Sequence, residues 1–129
     1  MAAVTYLDTH VAAWLYAGRV DLLPAAVRKR LDEDDLFISP AVTLELQYLF
    51  EIGRTSQPGA QVVDALTRQI GLQVCQQPLS EVVAAALKLS WTRDPFDRLI
   101  VGQAIVRNAG LLTKDRNVRR HFQGAFWKR

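Results

Sequence analysis

Cysteine is almost missing from this 129-residue sequence, and the single Cys75 excludes an internal disulfide or a thiolate zinc cluster. That usage suits a reducing cytoplasm. No apolar run approaches the ~18 residues that a membrane span requires. The first residues carry no basic segment ahead of a long apolar one, so no signal peptide is expected and a soluble, cytoplasmic protein is. Phosphate-cradling loops are absent as well, since neither G-x-x-x-x-G-K-[ST] nor G-x-G-x-x-G occurs. There is no G-x-S-x-G nucleophile elbow, and His10 and His121 make no metal-binding pair. An aspartyl phosphatase of the haloacid dehalogenase type needs a second aspartate two residues after the first. After Asp8 that position is His10, which reads better as a partly exposed polar residue than as a base.

Half of the residues are hydrophobic, which excludes a disordered chain and predicts one packed domain over residues 1–129. A chain of this length buries roughly two-thirds of its unfolded surface. No linker, repeat or low-complexity segment interrupts it. The net charge of +3 conceals a segregation: residues 1–97 carry 8 basic and 12 acidic side chains, whereas residues 98–129 carry 8 basic side chains against Asp115 alone. A basic surface beside an acidic pocket suits a polyanionic substrate whose chemistry uses a cation. The same numbers also describe a solvated basic tail.

Short β-rich runs alternate with helical periodicity along the chain. Strands are predicted at Val4–Leu7, Leu36–Ile38, Leu72–Cys75, Gly110–Thr113 and Ala125–Trp127. Helices are predicted at Thr9–Ala17, Pro24–Leu31, Ser39 to about Ile52, Gln61–Ile70, Ser80–Ser90, Pro95–Asn108 and Arg116–Arg120. Ser39-Pro40 is a good start signal, with serine as N-cap and proline at the first helical position, and Ser80 is a plausible cap for its own helix. The acidic run Asp32-Glu33-Asp34-Asp35 reads as a solvated loop. Strands alternating with helices predict an α/β layer fold around a parallel sheet.

Ligands in such folds sit beyond the carboxyl ends of the strands, near the point where strand order reverses. Asp8 and Asp115 each follow a predicted strand, and Asp97 lies in the first turn of a helix, so three acids well separated in sequence can converge on one sheet edge. Each also has a plain reading. Asp94 before Pro95 is a helix cap, Asp97 three residues on favours the positive end of the helix dipole, and Asp8 and Asp115 precede helices too. Glu45 is harder to explain away. Its neighbours one turn along are Ala41, Val42, Tyr48 and Leu49, so it interrupts an apolar stripe and needs either an arginine partner or a metal. Clustered carboxylates without matching cations repel one another, and oxygen donors without His or Cys select Mg²⁺ or Mn²⁺ over Zn²⁺.

The order of motifs resembles the PIN-domain ribonucleases, and within them the VapC-type toxins of bacterial toxin–antitoxin pairs, over nearly the whole chain. The marks are Tyr6-Leu7-Asp8-Thr9-His10, Ser39-Pro40-Ala41-Val42-Thr43-Leu44-Glu45-Leu46, Arg93-Asp94-Pro95-Phe96-Asp97-Arg98, and Leu111-Leu112-Thr113-Lys114-Asp115. A departure comes at His121-Phe122-Gln123-Gly124, where a more proline-rich turn would be expected.

The resemblance implies a three-layer α/β/α sandwich with a central, mainly parallel five-stranded sheet. It implies an acidic metal pocket of Asp8, Glu45, Asp97 and Asp115, with Asp94 as a further occasional ligand and with the Thr9 and Thr113 hydroxyls orienting a carboxylate or a water. The activity implied is a Mg²⁺-dependent endoribonuclease, with Mn²⁺ as a substitute, acting on single-stranded or loop RNA. One ion, or a pair roughly 4 Å apart, would activate water for in-line attack that leaves a 5′-phosphate and a 3′-hydroxyl. Arg98, Arg116, Arg119 and Arg120 are candidate phosphate clamps, and Arg98 beside Asp97 is equally readable as a structural ion pair. A cognate VapB-type antitoxin is implied as partner, with Trp14, Leu15, Tyr16, Leu49 and Phe50 nominated for its groove, as is a homodimer that joins the antitoxin in a larger complex. A non-catalytic PIN-fold module that binds RNA or protein through the basic C-terminal face is the alternative.

Overall fold

A computed structural model describes residues 2–128. The elements run β1 (Val4–Leu7), α1 (Thr9–Tyr16), α2 (Ala25–Glu33), β2 (Asp35–Ile38), α3 (Pro40–Glu51), α4 (Gly59–Ile70), β3 (Gln73–Val74), α5 (Leu79–Ala86), α6 (Pro95–Val106), β4 (Gly110–Leu112), α7 (Arg116–His121) and β5 (Ala125–Phe126), with a 3₁₀ turn at Val20–Leu22. The five strands form one sheet in the order β3-β2-β1-β4-β5, and every pairing is parallel. The expected mainly parallel sheet is therefore wholly parallel. No described helix is long and apolar enough to cross a membrane.

Strand alternation sorts the helices onto the two faces. Thr5 points to the side of α2, where its hydroxyl donates to Asp34 at 2.6 Å and accepts from Arg30 at 3.0 Å. Tyr6 points to the opposite side, where its ring meets Phe37 and where Gln103 and Arg107, from α6 and its end, reach Cys75. Three layers result. Between them Leu7, Leu111 and Leu112 lose all contact with solvent, each contributing about 1.5–3 kcal/mol by burial.

The chain leaves β1 for β2 and β3 on one side, then returns to lay β4 and β5 on the other. The order therefore reverses between β1 and β4, whose register pairs Leu7 with Leu112. That is the edge at which Asp8 and Asp115 emerge.

Three expectations need correcting. The acidic run is not a loop. Asp32 and Glu33 finish α2 and Asp35 begins β2, while the Asp34 carboxylate is held by Thr5 and, at 3.2 Å, by Arg30. A charge shielded by a hydroxyl and a guanidinium can sit at a helix end where an unpaired one could not. The alanine-rich helix is capped by Pro78 and begins at Leu79, one residue before the expected Ser80, and it ends at Ala86, where the Lys88 and Leu89 amides bond three residues back and tighten the final turn. Helix α4 begins at Gly59, earlier than the expected Gln61, because glycine lets it press onto α3.

At Gly59 an added Cβ would lie 2.5 Å from the Thr43 carbonyl oxygen and 2.8 Å from the Gln47 nitrogen, both of them backbone. Gly59→Ala should therefore lower stability by about 1–3 kcal/mol through overpacking. The neighbouring, exposed Ala60→Ser should stay within about 0.5 kcal/mol. Thermal or urea denaturation of the two variants checks this, and equal stabilities would refute the close packing of α3 on α4.

Candidate metal centre

Three of the acids are indeed helix caps. Asp8 is the N-cap of α1, with Oδ1 accepting from the Thr9 amide at 2.8 Å. Asp94 caps α6 through the amides of Phe96 at 2.8 Å and Asp97 at 3.4 Å, with Pro95 at the first helical position. Asp115 caps α7 through the Val118 amide at 3.0 Å. Capping does not compete with a functional reading here. It fixes each carboxylate at the positive end of a helix, where local backbone favours a charge.

Two fully buried threonines join the separate acids. Thr113, just past β4, donates its hydroxyl to Asp8 Oδ2 at 2.5 Å and accepts from the Asp115 amide at 3.1 Å. Thr9 donates its hydroxyl to Glu45 Oε1 while its own amide serves Asp8. A continuous relay therefore runs Glu45–Thr9–Asp8–Thr113–Asp115, drawing on α3, α1 and the exits of β1 and β4. Asp97 enters from α6, and Tyr48, one turn after Glu45 on α3, packs its ring on Phe96 at 6.2 Å. The aromatic pair ties α3 to α6 beside the acids. Tyr48 had stood in the sequence only as part of the stripe around Glu45.

The electrostatics register this crowding. Burial pushes the Asp8 carboxyl above the usual carboxylate range, against the lowering effect of the Thr113 and Thr9 hydrogen bonds. Glu45 is raised too, first by burial and then by Asp8 and Asp94, with the Thr9 hydrogen bond and the nearby His10 opposing. Asp97 is pushed up to about 7, first by burial and then by Asp94, Asp8, Asp115 and Glu45, and no donor or cation offsets them. The other four acids thus all act on Asp97. Among the described residues none of the ion pairs, Arg19–Asp21, Arg30–Asp34 and Arg68–Asp64, involves this group, so Glu45 has no arginine partner. Nor, among those residues, do three or more His, Cys, Asp or Glu side chains already close on a point as a metal cage.

The donor set is hard oxygen throughout, carries a surplus of negative charge and opens at the sheet edge. Those properties fit a divalent cation of the Mg²⁺ or Mn²⁺ kind. Asp8, Glu45, Asp97 and Asp115 would hold it, with Asp94, the N-cap of α6, as a further donor.

The basic residues divide. Arg98 pairs with neither Asp97 nor open solvent: its Nε donates to the Thr92 carbonyl at 2.9 Å, fastening α6 to the preceding turn. Arg116, Arg119 and Arg120 are exposed on α7, with Arg119 also reaching the Lys114 carbonyl at 3.1 Å. A separate apolar groove of about 420 Å³ is lined by Trp14, Tyr16 and Leu49 together with His10, Leu22 and Val62. Of the other nominated groove residues, Leu15 packs on the core instead, and Phe50 does not line the groove.

The PIN domain pattern matches residues 5–121. The chain belongs to the PIN-domain family. A 121-residue stretch is 35% identical to Ribonuclease VapC22 of Mycobacterium tuberculosis, covering 89% of each chain. Among solved structures, VapBC2 from Rickettsia felis bound to a DNA fragment from its promoter aligns with a TM-score of 0.69 at 18% identity, over 97% of this chain and 99% of that one. DNA-bound VapBC from Salmonella typhimurium aligns with a TM-score of 0.64 at 20% identity, over 97% and 96%. At such identities these two likenesses speak for the fold of the family, and the sequence relative for its VapC branch.

The Asp97 shift has a measurable consequence. Its folded-state pKa of about 7 stands above the ordinary 3.8, so folding favours the protonated acid. That stability is complete below about pH 4 and is lost as pH rises through 7. In EDTA, Asp97→Asn should therefore melt higher than the parent near pH 8. The gain should be of order 1 kcal/mol once solvent screening of this half-buried group is allowed for. It should fade near pH 4, and a gain independent of pH would refute the acid crowding.

Proposed function

We propose that this protein is the toxin of a type II toxin–antitoxin pair, a metal-dependent endoribonuclease that hydrolyses RNA phosphodiester bonds. The observation that carries the reading is a group of five carboxylates gathered by the exits of β1 and β4, none of them in an ion pair among the described residues, with Asp97 pushed up to about 7 first by burial and then by the other four. A structural role gives such a group no benefit, because like charges in a half-buried site oppose folding. Binding of a divalent cation reverses the sign of that cost. The relationship to a VapC ribonuclease supports the same activity.

When bound there, Mg²⁺ or Mn²⁺ would supply an activated water and neutralise charge developing on phosphate. The protein's own contribution is position. Asp8, Glu45, Asp97 and Asp115 hold the ion, and Asp94 is a further donor. Thr113 and Thr9 hold the Asp8 and Glu45 carboxylates in place through their hydroxyls. No side chain need act as nucleophile. Arg116, Arg119 and Arg120 offer exposed guanidinium groups to the strand's phosphates. Arg98, engaged with Thr92, would serve by setting the turn before Asp94.

For partners, the groove lined by Trp14, Tyr16 and Leu49 fits an apolar segment of a cognate VapB-type antitoxin, the mode in which an amphipathic element lies in a hydrophobic groove. The VapBC complexes among the structural neighbours support an antitoxin. A homodimer that joins the antitoxin in a larger assembly, in the cytoplasm, completes the reading.

Cleavage of labelled single-stranded RNA by the purified protein should occur with Mg²⁺ or Mn²⁺, stop in EDTA, and be lost in Asp97→Asn. Thr113→Val, which keeps the shape but removes the hydroxyl that holds Asp8, should lower the rate about 10- to 100-fold. RNA binding with no metal-dependent cleavage, unchanged by Asp97→Asn, would instead identify a non-catalytic binding module.

A further inference from the structure

At the end of α7 the imidazole of His121 lies flat on the indole of Trp91, with centroids 4.9 Å apart and planes 2° from parallel. These two residues are thirty positions apart in the chain, and several contacts fix their meeting. The Asn117 side-chain amide donates to the Trp91 carbonyl at 3.4 Å, and the Asn117 carbonyl bonds His121 Nδ1 at 2.9 Å. Val118, on the same helix, is buried and anchors it. Trp91 is half-buried whereas His121 is exposed. One face of the imidazole is therefore covered by indole, and the other meets solvent with its orientation already set.

The placement is specific to the candidate centre. Trp91 lies in the turn that leads to Asp94 and Asp97, and His121 ends the helix that Asp115 caps. Six residues of helix put His121 about 9 Å from that cap along the axis. Helical spacing sets Arg116 and Arg120 on the row beside Asn117 and His121, all of them exposed. Neither arginine makes an ion pair among the described residues. A flat aromatic face next to free guanidinium groups matches the chemistry of an unpaired nucleotide, whose base stacks while its phosphate takes the charge. A protein partner would need neither the planar alignment nor the row of uncompensated arginines.

We propose that the outer face of His121, backed by Trp91, is a stacking platform for an unpaired base of RNA whose phosphates follow Arg116 and Arg120. The proposal rests on the ribonuclease reading and adds a base-contacting residue close to the metal centre. The platform holds one nucleotide flanking the cleaved bond and so aligns the strand over the acids. A base has a π-face whatever its identity, so the platform selects unpaired over paired nucleotides more than one base over another.

The test uses fluorescence anisotropy with a fluorescein-labelled, mixed-sequence octaribonucleotide in Mg²⁺, with Asp97→Asn as a common background so that the strand stays intact. An abasic ribose–phosphate octamer is the comparison. Adding His121→Ala, or the ringless and helix-compatible His121→Gln, should weaken binding of the base-bearing octamer about tenfold. His121→Phe should stay within about twofold of the background, and none of the three should change binding of the abasic octamer. Unchanged affinity for the base-bearing strand in both ringless variants overturns the platform and leaves the nuclease reading standing. Equal losses on both octamers overturn it too, since they mark a clip between segments. Failure of the background protein to bind either octamer removes the nuclease reading together with the platform.

Discussion

A carboxyl that keeps its proton up to about pH 7 is what burial and then several neighbouring acids produce when none of them is held in an ion pair. Repulsion of this kind is normally removed by spreading the charges or by supplying an arginine. Here the fold does neither, and much of the local structure works against the acids drifting apart. The devices are modest ones: N-caps that tie Asp8, Asp94 and Asp115 to helix starts, and two buried threonines whose hydroxyls span the gaps. Threonine suits the task because its hydroxyl donates to one acid while accepting from another's backbone, as Thr113 does between Asp8 and Asp115, without adding a charge.

The sheet topology explains why acids so distant in sequence can share one edge. In a wholly parallel sheet every strand delivers its carboxyl end to the same side, and the strand order reverses at β1 and β4, the switch point at which such sheets bind ligands. Asp8 and Asp115 occupy the exits of those two strands. Glu45 and Asp97 arrive on α3 and α6, which the Tyr48–Phe96 contact keeps together. Moving any one of these acids by a single helical residue would turn it about 100° away from the switch point, which is why spacing within each motif matters more than composition.

The parts of this arrangement that the sequence displayed are those governed by short-range rules. Strands ending in Asp8 and before Asp115, the Ser39-Pro40 start and the Asp94-Pro95 cap all follow from neighbours within a turn. Glu45 announced itself by interrupting an apolar stripe. What escaped notice depended on partners far along the chain. Asp34 looked like one of four solvated acids because Thr5, twenty-nine residues earlier, holds it only once β1 lies against α2. The early start of α4 depends on Gly59 meeting the backbone of α3, and punctuation rules place a glycine outside a helix rather than at its point of closest approach. The Trp91–His121 stack required the turn before α6 to meet α7. Its only trace in the sequence was the departure from a proline-rich turn at His121.

Arg98 shows how narrowly an acidic centre of this kind avoids neutralisation. It follows Asp97 directly, at a spacing where an ion pair across the site would be easily imagined, and such a pair would cancel the charge that draws a cation. Adjacent helical residues point about 100° apart, and the guanidinium is engaged elsewhere, on the Thr92 carbonyl. Of the other basic residues of the C-terminal quarter, Arg116, Arg119 and Arg120 are carried exposed on α7. None of these guanidinium groups makes an ion pair with the acids among the described residues. The segregation of charge along the sequence thus becomes a segregation in space, with the acids gathered by the exits of β1 and β4 and these arginines exposed on the outer helix.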